Sequence, residues 1–131
     1  MGYLYSRVRS SNRVTMSKKA KGNRGEERAA AFLVENGLRI AARNFRIDGG
    51  EIDIVATSPA MFIFVEVKFR SEGSYIDALE RISPAQTARI RFTAQHYLLQ
   101  HGLNQHQLRL RFDVITITGP NADLYWLKDA F

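Results

Sequence analysis

Between Gly50 and Arg70 the apolar positions fall in two dense runs, Ile52-Asp53-Ile54-Val55 and Phe62-Ile63-Phe64-Val65-Glu66-Val67, separated by a break at Ser58-Pro59. Runs of β-branched and aromatic residues bounded by Gly and Pro predict strands. The second run is nearly all apolar, the pattern of a strand buried on both faces. Upstream, Ala29, Ala30 and Leu33 make a stripe at helical spacing, which predicts a first helix over residues 24–36 with Asn23 as its N-cap and Gly37 at the left-handed C-terminal position. A first strand is expected around Ala42–Ile47, closed by a turn at Asp48-Gly49-Gly50. Downstream, residues 71–82 are a polar connection, and Ser83-Pro84 supplies an N-cap and a first-turn proline for a second helix that runs to about His101, with Gly102 closing it. Its expected core stripe is Ala85, Ala88, Phe92 and Leu99, with Gln86, Arg89 and Thr93 on another, solvated face. Arg109–Thr118 reads as a last long strand, Gly119-Pro120-Asn121 as a turn, and Leu124–Leu127 as a short terminal strand in which Trp126 packs. The order is helix, three-strand meander, helix, strand, with one strand added. A crossover through the second helix is what a parallel pairing of the third and fourth strands requires, so the fold class is α/β with a mixed sheet flanked by helices.

Composition changes this picture at one end. With 131 residues and 45% hydrophobic content, the chain is the size of one domain with a true core. It has no cysteine, which excludes disulfides, thiolate metal sites and cysteine catalysis and fits a reducing cytoplasm. No apolar run is long enough to span a bilayer, and no membrane role is expected. The net charge of +6 invites a nucleic-acid reading, but it is unevenly placed. Six of the 19 basic residues, Arg7, Arg9, Arg13, Lys18, Lys19 and Lys21, lie in residues 1–21 with no acid, so the other 13 match the 13 acids of the remaining chain. The expected organisation is a disordered basic tail over residues 1–21 and a single, formally neutral domain over residues 22–131.

The charges inside the strands carry the chemistry. Glu66 and Lys68 are two apart and share a face, as do Glu51 and Asp53. Buried charges are costly unless paired or bound to a metal. If the two strands form a hairpin, Asp53 and Glu66 come side by side, and two adjacent carboxylates repel unless a cation lies between them. A divalent ion of the Mg²⁺ type, held by one or two carboxylates plus phosphate oxygens, resolves the repulsion. Glu26 lies three, four and seven positions before Ala29, Ala30 and Leu33, on the inward face of the first helix, whereas Glu27 is turned about 100° away. A plain salt bridge between Glu66 and Lys68 at a strand end is the alternative to a site. His96, His101 and His106 are spaced by five, a poor match to helical metal ligands. No phosphate-cradling glycine loop or serine nucleophile motif is present.

Taken together, Gly22-x-x-Gly25-Glu26-x-x-Ala29, Asn44-Phe45-Arg46, Gly50-Glu51-Ile52-Asp53-Ile54-Val55, Phe64-Val65-Glu66-Val67-Lys68-x-Arg70 and Arg111-Phe112-Asp113-Val114-Ile115 resemble the bacterial YraN-type family of endonuclease-like proteins. That family is similar in turn to the PD-(D/E)xK nuclease superfamily, especially archaeal Holliday-junction resolvases. The resemblance covers about residues 22–118. It implies a restriction-endonuclease-like αβββαβ core and a metal-dependent endonuclease hydrolysing DNA phosphodiester bonds, on branched or damaged DNA. It implies Asp53 and Glu66 as ligands of Mg²⁺ or Mn²⁺, and Lys68 as the group that positions the attacking water and offsets phosphate charge. Glu26 would complete the catalytic set directly or through water. Arg24, Arg70, Gln86 and Arg89 are the candidate nucleic-acid contacts. The expected partner is DNA, recognised by structure rather than sequence, with a homodimer suited to the two symmetric strands of a junction and a repair or recombination protein as a further partner. Two departures stand out: Ile52 replaces the proline that names the superfamily motif, and Gln86 stands where a lysine is expected. The second favours an alternative, a nucleic-acid-binding module of the same fold lacking independent turnover. A third reading is an interaction protein whose carboxylates are only salt-bridged.

Overall fold

The structure is a computed structural model that describes residues 18–70, 82–118, 121 and 123–131. Helix α1 (Lys18–Glu35) leads into strands β1 (Arg39–Ile47), β2 (Gly50–Ser58) and β3 (Met61–Arg70). Helix α2 (Pro84–Gln100) and a short 3₁₀ turn (Gln105–Gln107) lead to β4 (Arg109–Thr118) and β5 (Asp123–Leu127). The strands form one mixed sheet in sequence order. Strands β1 and β2, β2 and β3, and β4 and β5 pair antiparallel through short connections, while β3 and β4 pair parallel, joined by the crossover that contains α2. This is the mixed α/β arrangement expected.

Helix α1 begins at Lys18, so Asn23 is an interior residue rather than the cap that the sequence predicts. Residues 1–17 of the expected tail lie outside the described residues, as does most of the connection after β3. Both helices end as expected on glycine. Gly37 has φ 89°, with Leu38 N–H donating to the Leu33 carbonyl and Gly37 N–H to that of Val34. Gly102 has φ 65° and the equivalent pair of bonds to Leu98 and Leu99. In this arrangement a left-handed residue satisfies carbonyls that the helix leaves open. Ser83 caps α2, its Oγ accepting the Gln86 N–H at 3.1 Å.

Each face of the sheet carries one helix and one core. On one face Ala29, Ala30, Phe32 and Leu33 of α1 pack with Ile54, Ala56, Ile63, Val65, Ile115 and Ile117. On the other Ile90, Ala94, Tyr97 and Leu98 of α2 pack with Val55, Phe64 and Phe112. Alternation along β2 and β3 sends neighbours to opposite cores, which is why β3 reads as continuously apolar.

The stripe predicted for α2 is inverted. Ala85, Ala88, Phe92 and Leu99 face outward, with Phe92 51% and Leu99 75% exposed, and Thr93, expected on a solvated face, is fully buried. The helix is apolar on two opposite sides. The β-branched and aromatic side of Ile90, Thr93 and Tyr97 fills the sheet groove, and Arg89 and Gln95 border the other side in solvent.

The Arg111-Phe112-Asp113 segment has a structural task. Asp113 is fully buried in β4 and accepts two bonds from Arg111 at 2.9 Å, one from Trp126 Nε1 at 3.0 Å and one from Asp129 N–H at 2.9 Å. Its charge is thus paired and hydrogen-bonded, and it fastens the C-terminal residues to the sheet.

Candidate metal centre at a strand fork

The β2–β3 ladder runs from Ser58 opposite Met61 to Ile54 opposite Val65 and stops there. The same register carried one step further sets Asp53 opposite Glu66. Beyond that point β2 stays paired with β1 down to the hairpin end, Ile47 opposite Gly50, while β3 stays paired with β4 to Arg70. The sheet therefore forks, and the acids stand at the fork.

Local sequence explains why it opens. Asn44, which the register places opposite Asp53, has φ 52°, a left-handed conformation that Asn tolerates. Here the facing changes: Ile54 packs in the α1-side core, and Ile52, two residues before it, packs in the α2-side core. The hairpin tip turns onto α2, where Gly50 lies so close to Thr93 that a methyl group in its place would overlap the Thr93 hydroxyl. Glycine is required by this approach. Asp53 then reaches across the gap and accepts the Val67 N–H at 2.8 Å.

Glu66 and Lys68 share the α2-side face of β3, since Val65 and Val67 point into the α1-side core. Lys68 Nζ lies 3.2 Å from Glu66 Oε1, and both side chains keep 15% exposure. From the other side, Gly25 allows α1 to approach Phe69 and Ile117 closely, which brings the next residue, Glu26, toward the fork. The Asn44 side chain hydrogen-bonds Glu26.

The electrostatics follow from crowding acids in a recess. Burial and then the Glu66 charge push the Asp53 carboxyl from 3.8 up to about 8, against the Val67 hydrogen bond, with Glu26 and Glu51 adding to the rise. Burial raises Glu66, and Lys68 opposes it. Burial also raises Glu26, and the Asn44 bond opposes that. All three acids are held above the ordinary range, as expected of carboxylates gathered without enough positive charge.

Among the described residues no three His, Cys, Asp or Glu side chains converge tightly enough to enclose a metal ion by themselves. The donor set nevertheless fits a hard divalent cation of the Mg²⁺ type. It offers only oxygen ligands, from two adjacent carboxylates, and Mg²⁺ retains several waters and completes its shell with phosphate oxygens.

A cleft of about 440 Å³ opens above the acids. Its walls include Arg46 and Ile47 from the hairpin and Gln86 and Arg89 from α2. The structure thus brings together Glu26, Asp53, Glu66 and Lys68, with Gln86 and Arg89 beside them. Arg24 is exposed on α1 and is not among the cleft-lining residues; Arg70 ends β3, and its side chain lies outside the described residues. Sequence reasoning gave no role to Asn44 or to Arg46, which stands opposite Glu51 in the ladder and lies 3.4 Å from it. The available signal was their adjacency in Asn44-Phe45-Arg46, just ahead of the turn. Among the described residues no helix is long and apolar enough to cross a membrane.

Comparison with known proteins places this chain in a family. Residues 25–117 match the model of the family described as Uncharacterised protein family UPF0102. A UPF0102 protein of Idiomarina loihiensis is 46% identical over 116 residues, covering 88% of this chain and 100% of its own length. One from Shewanella amazonensis is 44% identical over 110 residues, covering 84% and 97%. One from Nitrosococcus oceani is 39% identical over 113 residues, covering 85% and 90%. The matched span holds Glu26, Asp53, Glu66 and Lys68 together, and the chain belongs to the UPF0102 family, the YraN-type group that its motifs resemble.

Proposed function

We propose that this chain is a metal-dependent endonuclease that hydrolyses DNA phosphodiester bonds on a restriction-endonuclease-like core, with Asp53 and Glu66 holding Mg²⁺ or Mn²⁺. The observation that carries the reading is the fork: two carboxylates, one raised to about 8, with a lysine 3.2 Å from the second. When bound, the cation supplies charge neutralisation at the phosphate and activation of water. The chain's own residues supply the rest. The Val67 N–H fixes the direction of the Asp53 carboxylate, and the ion pair with Glu66 holds the Lys68 ammonium in the recess, where its N–H groups orient water and meet phosphate oxygens. Glu26, steadied by Asn44, accepts a hydrogen bond from water on the α1 side. Arg24, Arg70, Gln86 and Arg89 contact the nucleic acid. A reducing cytoplasm, a homodimer on a four-way junction and a repair or recombination partner accord with this reading.

The deciding experiment is cleavage of labelled four-way junction, flap and linear DNA with Mg²⁺ or Mn²⁺. Cleavage by wild type that disappears with chelator and in Lys68→Ala supports it; equal cleavage by both proteins defeats it. The second reading, a binding module without turnover of its own, is favoured by the neutral Gln86 on the cleft wall where a cation is expected. It calls for DNA binding that weakens steeply with salt and no cutting under any of these conditions.

A further inference from the structure

The acids at the fork have walls that phosphodiester chemistry alone does not require. The hairpin tip contributes Arg46 and Ile47 to the cleft, and α2 contributes Gln86 and Arg89. Gly50 seats the tip directly on Thr93, which joins the two walls. The floor is recessed, and the side chain of Glu66, which lines it, is only 15% exposed.

A straight duplex is stiff and offers its phosphates from the outside of a wide cylinder. A strand whose neighbouring nucleotide is unpaired bends into a recess at lower cost, since no base pair must be opened and less stacking is lost. The walls suit such a nucleotide. Ile47 offers an apolar surface to a base face, the Gln86 amide offers both donors and an acceptor to a base edge, and the two arginines offer charge to its flanking phosphates.

Taking the nuclease reading of the site as given, we propose that the cleft admits one unpaired nucleotide. Its phosphates lie between Arg46 and Arg89, and its base lies against Ile47 and Gln86. The substrate is then DNA with a single-stranded or bulged nucleotide beside the scissile phosphate, and a perfect duplex is a poor one.

The test is fluorescence anisotropy of wild type with Ca²⁺ and three labelled DNAs of one sequence: a single strand, a duplex with one bulged nucleotide, and a perfect duplex. The first two bind about tenfold more tightly than the third, within the range of stacking one base on a protein surface. Ile47→Ala and Gln86→Ala, each checked for folding by circular dichroism, narrow that gap. Equal binding of all three DNAs, or a gap unchanged in both variants, overturns the inference. Metal-dependent cleavage of the perfect duplex as fast as the bulged one also overturns it and leaves the nuclease reading standing. Absence of binding to any DNA at low salt overturns both.

Discussion

The carboxylate of Asp53 accepts the backbone N–H of Val67 at 2.8 Å, across the point where β2 and β3 separate. One side chain thus replaces the carbonyl that a continued ladder would have offered and turns its own oxygens toward the cleft. Asp53→Ala leaves that N–H unpaired and is expected to lower stability by about 1–3 kcal/mol. Asp53→Asn retains an accepting oxygen and most of the stability. Urea unfolding of the two variants separates these outcomes, and equal loss in both would count against the bond.

The acid cluster makes stability depend on pH in a definite direction. Asp53 titrates at about 8 in the folded protein against an ordinary 3.8, so the folded state holds this proton more tightly than the unfolded one. The resulting stabilisation is fully present below the ordinary value and is lost as pH rises through about 8. Glu66 and Glu26 are raised too and act in the same direction. The melting temperature is expected to fall between about pH 5 and pH 9. Asp53→Asn should have a shallower slope, and Mn²⁺ should recover the alkaline loss in wild type more than in the variant. A wild-type melting temperature that rises over this range contradicts the assignment.

Gly50 meets Thr93 with no room for a side chain. Gly50→Ala is expected to destabilise by roughly 1–3 kcal/mol through overpacking. Thr93→Ala, which removes the overlapping hydroxyl, should restore part of the loss when combined with it. The coupling is read from a double-mutant cycle in denaturant. Strict additivity would mean that the tip does not rest on α2 as described.

Asp113 is a fully buried acid whose carboxylate is met by Arg111, Trp126 and the Asp129 backbone. Asp113→Ala strands the Arg111 cation and the indole N–H, at an expected cost of about 3–5 kcal/mol in urea unfolding. Proteolysis should reach the C-terminal residues first in this variant. A loss below about 1 kcal/mol would assign the network a minor role.

The hairpin that brings Asp53 to Glu66 was legible because both signals are local, a period of two and a short connection between runs. Glu26 was legible for a similar reason, since helical spacing from Ala29, Ala30 and Leu33 sets its direction. The orientation of α2 was not. Ala85, Ala88, Phe92 and Leu99 satisfy helical periodicity as well as Ile90, Ala94, Tyr97 and Leu98 do, and only the shape of the sheet beneath decides between them. The fork was also hidden. It depends on the left-handed Asn44 and on the seating of Gly50 against Thr93, more than forty residues later in the chain. Asp113 was given no role from the sequence: Arg111 shares its face at a spacing of two, a signal left unused, and Trp126 and Asp129 become its neighbours only through the β4–β5 pairing.

The mixed sheet separates two histories within one cleft. Asp53, Glu66 and Lys68 belong to a single hairpin closed at Pro59-Ala60, so their pairing across β2 and β3 is a local one. The wall of Gln86 and Arg89 arrives later, after a long crossover has been closed and β4 has docked in parallel. Substitutions at Gln86 and Arg89, away from the Thr93 seat, can therefore reshape what enters the cleft without displacing the acids beneath it, and descendants of one ancestor could come to prefer different ligands over an unchanged floor.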